Sequence, residues 1–170
     1  MRSIELTFDG TAEACIRADW ARLAAAGLPS LGSHTAPSNR PHITLAAGNS
    51  LAVAAEAAGL WAGLPLDVRL DGLVLFPAGK GKYVLARLVV GSRELLALHA
   101  GLHRQANDAL PLTRPGAWTP HVTLARRIPA ELLGAAVGTL DATLEARCTD
   151  ARLWDSTTRT VTALNSPPTA

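Results

Sequence analysis

Apolar and polar residues alternate from Ser3 to Phe8, with Ile4, Leu6 and Phe8 on one side and Ser3, Glu5 and Thr7 on the other. That period of two predicts a first strand. Asp9-Gly10-Thr11 breaks it, and Thr11 offers a side chain suited to an N-cap. Ala12, Ile16, Trp20 and Leu23 then recur at helical spacing to about Ala26. Residues 27–40 are rich in Gly, Pro and Ser and predict a loop long enough to carry function. A strand follows at 42–46, a helix from Ala52 to Ala62, and a strand from Leu66 to Phe76 with a bend or bulge near Asp71-Gly72. Residues 77–81 read as a turn and 82–90 as another strand.

The pattern then starts again. Val90-Gly91-Ser92-Arg93-Glu94 opens a helix much as Asp9-Gly10-Thr11-Ala12-Glu13 does, and Leu95, Leu98, Leu102 and Ala106 give it an apolar stripe to about Leu110. A loop with Pro111, Pro115 and Gly116 leads into a strand at 119–125. Pro129 suits the start of a helix running to about Val137. Strands near 142–154 and 157–164 follow, and the tail 166–170 is expected to fray. Equivalent residues lie at a near-constant offset: His42 and His121, Asp71 and Asp150, and Leu75 and Trp154 are each 79 apart. One duplication of an α+β unit is the simplest explanation. Halves of about 1–90 and 82–165 would form two lobes of one domain spanning 1–170. The expected class is α+β, with two antiparallel-rich sheets flanking a central cleft, helices outside, and a ligand between the lobes.

Composition adds little chemistry. The chain has 170 residues, 48% of them hydrophobic and only 4% aromatic, so Ala, Leu and Val must fill the core. The net charge is +2, and all but two of the 16 cationic side chains are Arg. That permits an anionic ligand without demanding one. Cys15 and Cys148 have no metal-like spacing and are expected to be buried free thiols. Neither an apolar leader nor an apolar run of membrane-spanning length is present, so a cytoplasmic monomer is expected.

The chemistry lies in Pro41-His42-Ile43-Thr44-Leu45-Ala46 and its near copy Pro120-His121-Val122-Thr123-Leu124-Ala125. On a strand, His and Thr two apart share one face while Ile43, Leu45, Val122 and Leu124 point the other way. If a two-fold axis relates the halves, His42 and Thr44 look across the cleft at His121 and Thr123. One imidazole can then take a proton from a nucleophile while the other gives one to a leaving oxygen. The two hydroxyls can donate to non-bridging phosphate oxygens. Such an in-line displacement at phosphorus needs neither a metal nor another cofactor. A single His-x-Thr would be read as an ordinary strand with a satisfied histidine; two identical frames at matching places in a repeat would not.

With these paired motifs the sequence resembles the 2H phosphoesterase superfamily, and within it the bacterial 2′-5′ RNA ligase-like proteins. Leu73-Val74-Leu75-Phe76-Pro77 with Tyr83-Val84-Leu85, and Trp118 through Arg126, extend the match. The resemblance implies hydrolysis of 2′,3′-cyclic phosphates on RNA ends or nucleotides. His42 and His121 would be the catalytic pair, with His42 protonating the leaving 3′ oxygen and His121 activating water. Thr44 and Thr123 would bind the phosphate. It also implies a reverse 2′-5′ RNA ligase reaction, which the motifs predict poorly. Two alternatives remain open: a nucleotide- or RNA-binding module without efficient turnover, and a hydrolase of another cyclic phosphate such as an ADP-ribose derivative.

Further substrate-binding candidates are Arg126, Arg127, Arg40, Trp118, Tyr83 and Phe76. Arg126 matches an arginine common in the family, yet strict alternation puts it on the opposite side from Thr123. Arg127 has the right parity. The three aromatics could stack on a base. His99 and His103 are four apart on a predicted helix, but no zincin glutamate lies between them, and a place on the helix surface is expected. His34 lies in the long loop, where it could gate the cleft.

Overall fold

The computed structural model of the protein describes residues 1–53, 55–140 and 143–165; for Val53 and 55–58 it describes the backbone alone. The chain runs β1 (Arg2–Phe8), α1 (Gly10–Ala25), β2 (His42–Gly48), β3 (Ala52–Val53), β4 (Leu66–Pro77), β5 (Lys82–Val89), α2 (Arg93–Gln105), β6 (Ala106–Asn107), β7 (His121–Pro129), α3 (Leu133–Gly138), β8 (Thr143–Asp155) and β9 (Thr160–Ala163). The tail 166–170 lies outside the described residues.

Local chemistry sets the boundaries. The carboxylate of Asp9, not Thr11, caps α1 by accepting from the Ala12 N–H at 2.8 Å, so the helix begins at Gly10. Ser92 does the same for α2, accepting from Leu95 N–H. α1 ends where Gly27, at φ +70, lets Leu28 N–H return to the Leu23 carbonyl. β4 bends as expected, its register with β5 shifting between Leu70 and Leu73 at Gly72. Other expectations change. Residues 55–63 form a 3-10 helix rather than an α-helix. Residues 106–107 leave the α2 pattern and pair with 52–53 as a short two-stranded sheet.

The α+β class holds, and the sheets are antiparallel. The main strands do not split into two sheets, however. Seven of them form one, ordered β2-β1-β8-β4-β5-β7, with β9 beside β8. That order reads the same from both ends when β1 is matched with β5, β2 with β7 and β4 with β8. The last long strand of each half crosses over: β8 pairs with β1, and β4 with β5. The two crossed strands meet at the centre, where Val68 faces Ala146, so their backbones are paired on both sides and no interior edge remains.

Ile4, Leu6 and Phe8 of β1, Ile43 and Leu45 of β2, and Ile16, Trp20 and Leu23 of α1 belong to one apolar cluster. It continues through Leu85, Val122 and Leu124 of the second half. The polar alternates Glu5 and Thr7 are buried too, which makes the other face of β1 a floor rather than a solvated surface. Inside the fold, Asp19 of α1 meets Arg87 of β5 at 2.6 Å, both almost fully buried. Removing one partner of such a pair costs about 3–5 kcal/mol, because the other charge is left in low dielectric.

The end of β2 is held just as closely. A Cβ added at Gly48 would lie 2.0 Å from the Asp108 carbonyl oxygen, and Leu110 N–H donates to the Ala47 carbonyl at 2.7 Å. Gly48→Ala is therefore expected to destabilise the protein by about 1–3 kcal/mol, as overpacking does. Thermal denaturation should show a fall in Tm of at least about 2 °C; an unchanged Tm would mean that 106–110 does not pack on β2 in this way.

Candidate active site

Both motifs occupy edge strands, β2 at one end of the sheet and β7 at the other, and the sheet curls until β2 and β7 touch. Two indoles tie the seam. Trp20, from α1 of the first half, donates to the Thr123 carbonyl at 3.3 Å. Trp118, from the second half, donates to the Thr44 carbonyl at 2.9 Å. Each motif strand is thus anchored by a tryptophan from the opposite half.

Both strands also carry the same irregularity. Ile4 pairs with Ala46 and Glu5 with Thr44, leaving Leu45 as an extra residue. Leu85 pairs with Ala125 and Ala86 with Thr123, leaving Leu124. The two consecutive residues at each bulge, Leu45-Ala46 and Leu124-Ala125, are all fully buried. A bulge resets alternation, so the next residue rejoins the His-and-Thr face: Ala47 in the first copy, Arg126 in the second. This resolves the parity objection to Arg126, which lines a cavity together with His42 and Thr44. Arg127 is exposed at φ +61 and is not part of that lining.

The cavity holds about 440 Å³. Its floor follows from cross-strand register: Ser3 sits between Ala47 and Trp154, and Glu5 between Thr44 and Arg152, while Thr7, between His42 and Asp150, lines a neighbouring depression. Arg152 Nε donates to Glu5 Oε2 at 2.8 Å, and its Nη2 reaches the Ser38 carbonyl at 3.2 Å, tying the floor to the loop wall. Ser3 Oγ donates to Glu5 Oε1 at 2.6 Å, and that oxygen stands 3.6 Å from His42 Nε2.

The histidines are held alike. His42 Nδ1 lies 2.7 Å from the Arg40 carbonyl, and His121 Nδ1 lies 2.7 Å from the Thr119 carbonyl. A carbonyl only accepts, so each Nδ1 carries a proton and each Nε2 is left for other chemistry. Their surroundings differ. Burial pushes the His121 imidazole below its ordinary value, the Thr119 carbonyl opposes that, and the positive charges of His42 and Arg126 add to the lowering. The Phe76 ring covers it at 4.7 Å between centroids. Among the described residues His121 makes no ion pair with a carboxylate, whereas His42 faces Glu5.

The remaining candidates stand apart. Trp118 does not line the cavity: its ring lies flat on His99 at 3.8 Å and packs against the apolar cluster. Arg40 is bound to Glu13 at 2.6 Å and lines a different depression. Tyr83 sits opposite Pro77 in the β4–β5 hairpin, away from the cavity lining. His34 does line it. His99 is buried instead of on the helix surface, its Nε2–H donating to the Thr113 carbonyl; His103 donates to the Leu45 carbonyl on the motif strand. Both are braces, and no group of three His, Cys, Asp or Glu among the described residues could hold a metal ion. Cys148 is buried with its thiol pushed up to about 12, but Cys15 is exposed because it falls on the outer side of α1. No helix among the described residues is long and apolar enough to cross a membrane.

Glu5, Arg152 and Trp154 were not among the residues singled out from sequence. Glu5 had a signal: a carboxylate at mid-strand, on the polar side of the alternation. Arg152 and Trp154 had none, since their place depends on β8 crossing to β1.

Residues 11–160 match the family model described as the 2′-5′ RNA ligase superfamily. The chain belongs to this superfamily, whose members are 2H phosphoesterases. No curated protein sequence matches the chain. Among solved structures, E. coli LigT complexed with 3′-AMP is similar, at a TM-score of 0.49 and 20% identity over 90% of this chain and 85% of that one. The two His-x-Thr frames of this superfamily member fall inside the matched span.

Because burial lowers the His121 value, that ring binds its proton less readily when folded than when unfolded. The unfolded chain therefore takes up more protons as pH falls through the ordinary histidine range, and stability declines with it. The same holds for His99, lowered chiefly by burial. NMR titration should place the His121 midpoint below that of an exposed histidine, and His121→Gln should flatten the loss of stability on acidification below about pH 6.5. A midpoint at or above the exposed value would contradict this.

Proposed function

We propose that this superfamily member is a metal-independent phosphodiesterase that opens 2′,3′-cyclic phosphates on RNA ends or nucleotides. The observation that carries the reading is that both imidazoles are fixed by an Nδ1–H bond, which leaves each Nε2 free, on strands that touch across one seam. His121, favoured in its neutral form, accepts a proton from water at Nε2 as the water oxygen attacks phosphorus. The bond from phosphorus to O3′ breaks, and His42, protonated with Glu5 beside its Nε2–H, gives its proton to O3′. The product is a 2′-phosphate. Thr44 and Thr123 donate to the non-bridging oxygens, and Arg126 balances their charge.

The contrast between the two histidines allocates the roles. A carboxylate oxygen only accepts, so Glu5 gives a protonated His42 a partner. The lowering at His121 suits a base. The same pair can join ends when a 5′-hydroxyl replaces water as the nucleophile, its proton going to His121 and that of His42 to the leaving O3′, but water at bulk concentration favours hydrolysis.

Turnover of adenosine 2′,3′-cyclic phosphate should persist in EDTA and follow a bell-shaped pH–rate profile. His42→Ala and His121→Ala should each lower kcat by about 10²–10⁴-fold, and Thr44→Ala or Thr123→Ala by about 10²-fold. Full turnover in both histidine variants would refute the mechanism. Binding of the nucleotide with no turnover by the intact protein would leave a binding module instead.

A further inference from the structure

The chain has four tryptophans, and three have structural work. Trp20 and Trp61 are buried in the apolar cluster and Trp118 packs against it. Trp154 does none of this. It is half-buried on β8 and lies outside the cluster and the residues packed on it. Among the described residues its indole N–H has no hydrogen-bond partner, and no ring or cation stacks on it. It lines the cavity that also contains His42, Thr44 and Arg126. A half-buried aromatic side chain that lies outside the apolar core, at the wall of a cavity, offers its free face to a ligand.

The duplication shows that the feature belongs to one half alone. The residue matching Trp154 in the first unit is Leu75, and the residue matching Arg126 is Ala47. The space beside His42 therefore has an indole wall, and a methyl group where the other copy has a long cation. The lining also includes His34 and Asn39 of the loop before β2. At about 440 Å³ the cavity accommodates a nucleoside. Beside His121, Phe76 already covers the imidazole.

We propose that this cavity is a nucleoside subsite, in which a purine or pyrimidine base stacks on Trp154 while its ribose 2′-phosphate lies at Thr44 and Arg126. The assignment rests on the phosphodiesterase reading above. It names the substrate's recognised part as a nucleoside and makes recognition tolerant of base identity, because every base has a face to stack.

Isothermal titration calorimetry with adenosine 2′-phosphate and with ribose 2-phosphate tests it without requiring turnover. The intact protein should bind the nucleotide about 5- to 100-fold more tightly than the baseless phosphate. Trp154→Ala and Trp154→Leu should erase that difference, Trp154→Phe should keep most of it, and ribose 2-phosphate should bind all four proteins alike. Leucine keeps apolar bulk at the site should alanine not fold. The subsite is overturned if the intact protein does not prefer the nucleotide, if Trp154→Leu leaves the preference intact, or if it weakens both ligands equally. Hydrolysis of cyclic phosphates with Trp154-independent binding would remove the subsite and keep the enzyme; Trp154-dependent binding without hydrolysis would do the reverse.

Discussion

The structure depends on bringing the two edges of one sheet together. β2 and β7 are the outermost strands of the six-strand path, yet they touch. The Trp20 and Trp118 indoles, donating to the carbonyls of Thr123 and Thr44, hold that seam from opposite halves. An edge strand normally offers unpaired backbone groups to any passing chain. Here these carbonyls are claimed by side chains instead. His103 adds a third such bond, to Leu45. The motif strands are fixed without being paired to each other, so their His and Thr side chains can face a ligand between them.

A strand order that reads the same from both ends sets the geometry, and the two motif strands differ in the residues around it. Identical bulges return position 47 and position 126 to the cavity face, but one is Ala and the other Arg. Glu5 pairs with Thr44 where Ala86 pairs with Thr123. Among the described residues a buried carboxylate therefore stands beside His42 and not beside His121, neutralised by Arg152 from the crossed strand. A symmetric pair of imidazoles would have no preferred direction of proton flow; in the proposed reaction, Glu5 on one side and burial on the other supply one.

Much of this could be read from the chain. Strands 3–8, 42–46 and 82–90 and the apolar stripes of α1 and α2 follow from local periodicity, which survives folding because apolar faces must be buried, and the offset of 79 residues follows from the repeated motif. What could not be read was set by pairing between distant segments. One sheet forms instead of two because β4 and β8 exchange places. Alternation alone misplaced Arg126, since a bulge has no local sequence mark in two Leu-Ala pairs that look like ordinary strand. Trp118 is the same kind of case: its ring is taken up by His99, a contact that joins a helix to a loop.

If two fixed imidazoles act from opposite sides of one phosphorus, with His42 on the side of the leaving O3′, adenosine 2′,3′-cyclic phosphate opens in one sense. Phosphorus-31 NMR of the products should then show the 2′-phosphate alone; the 3′-phosphate, or a mixture of the two, would overturn this arrangement.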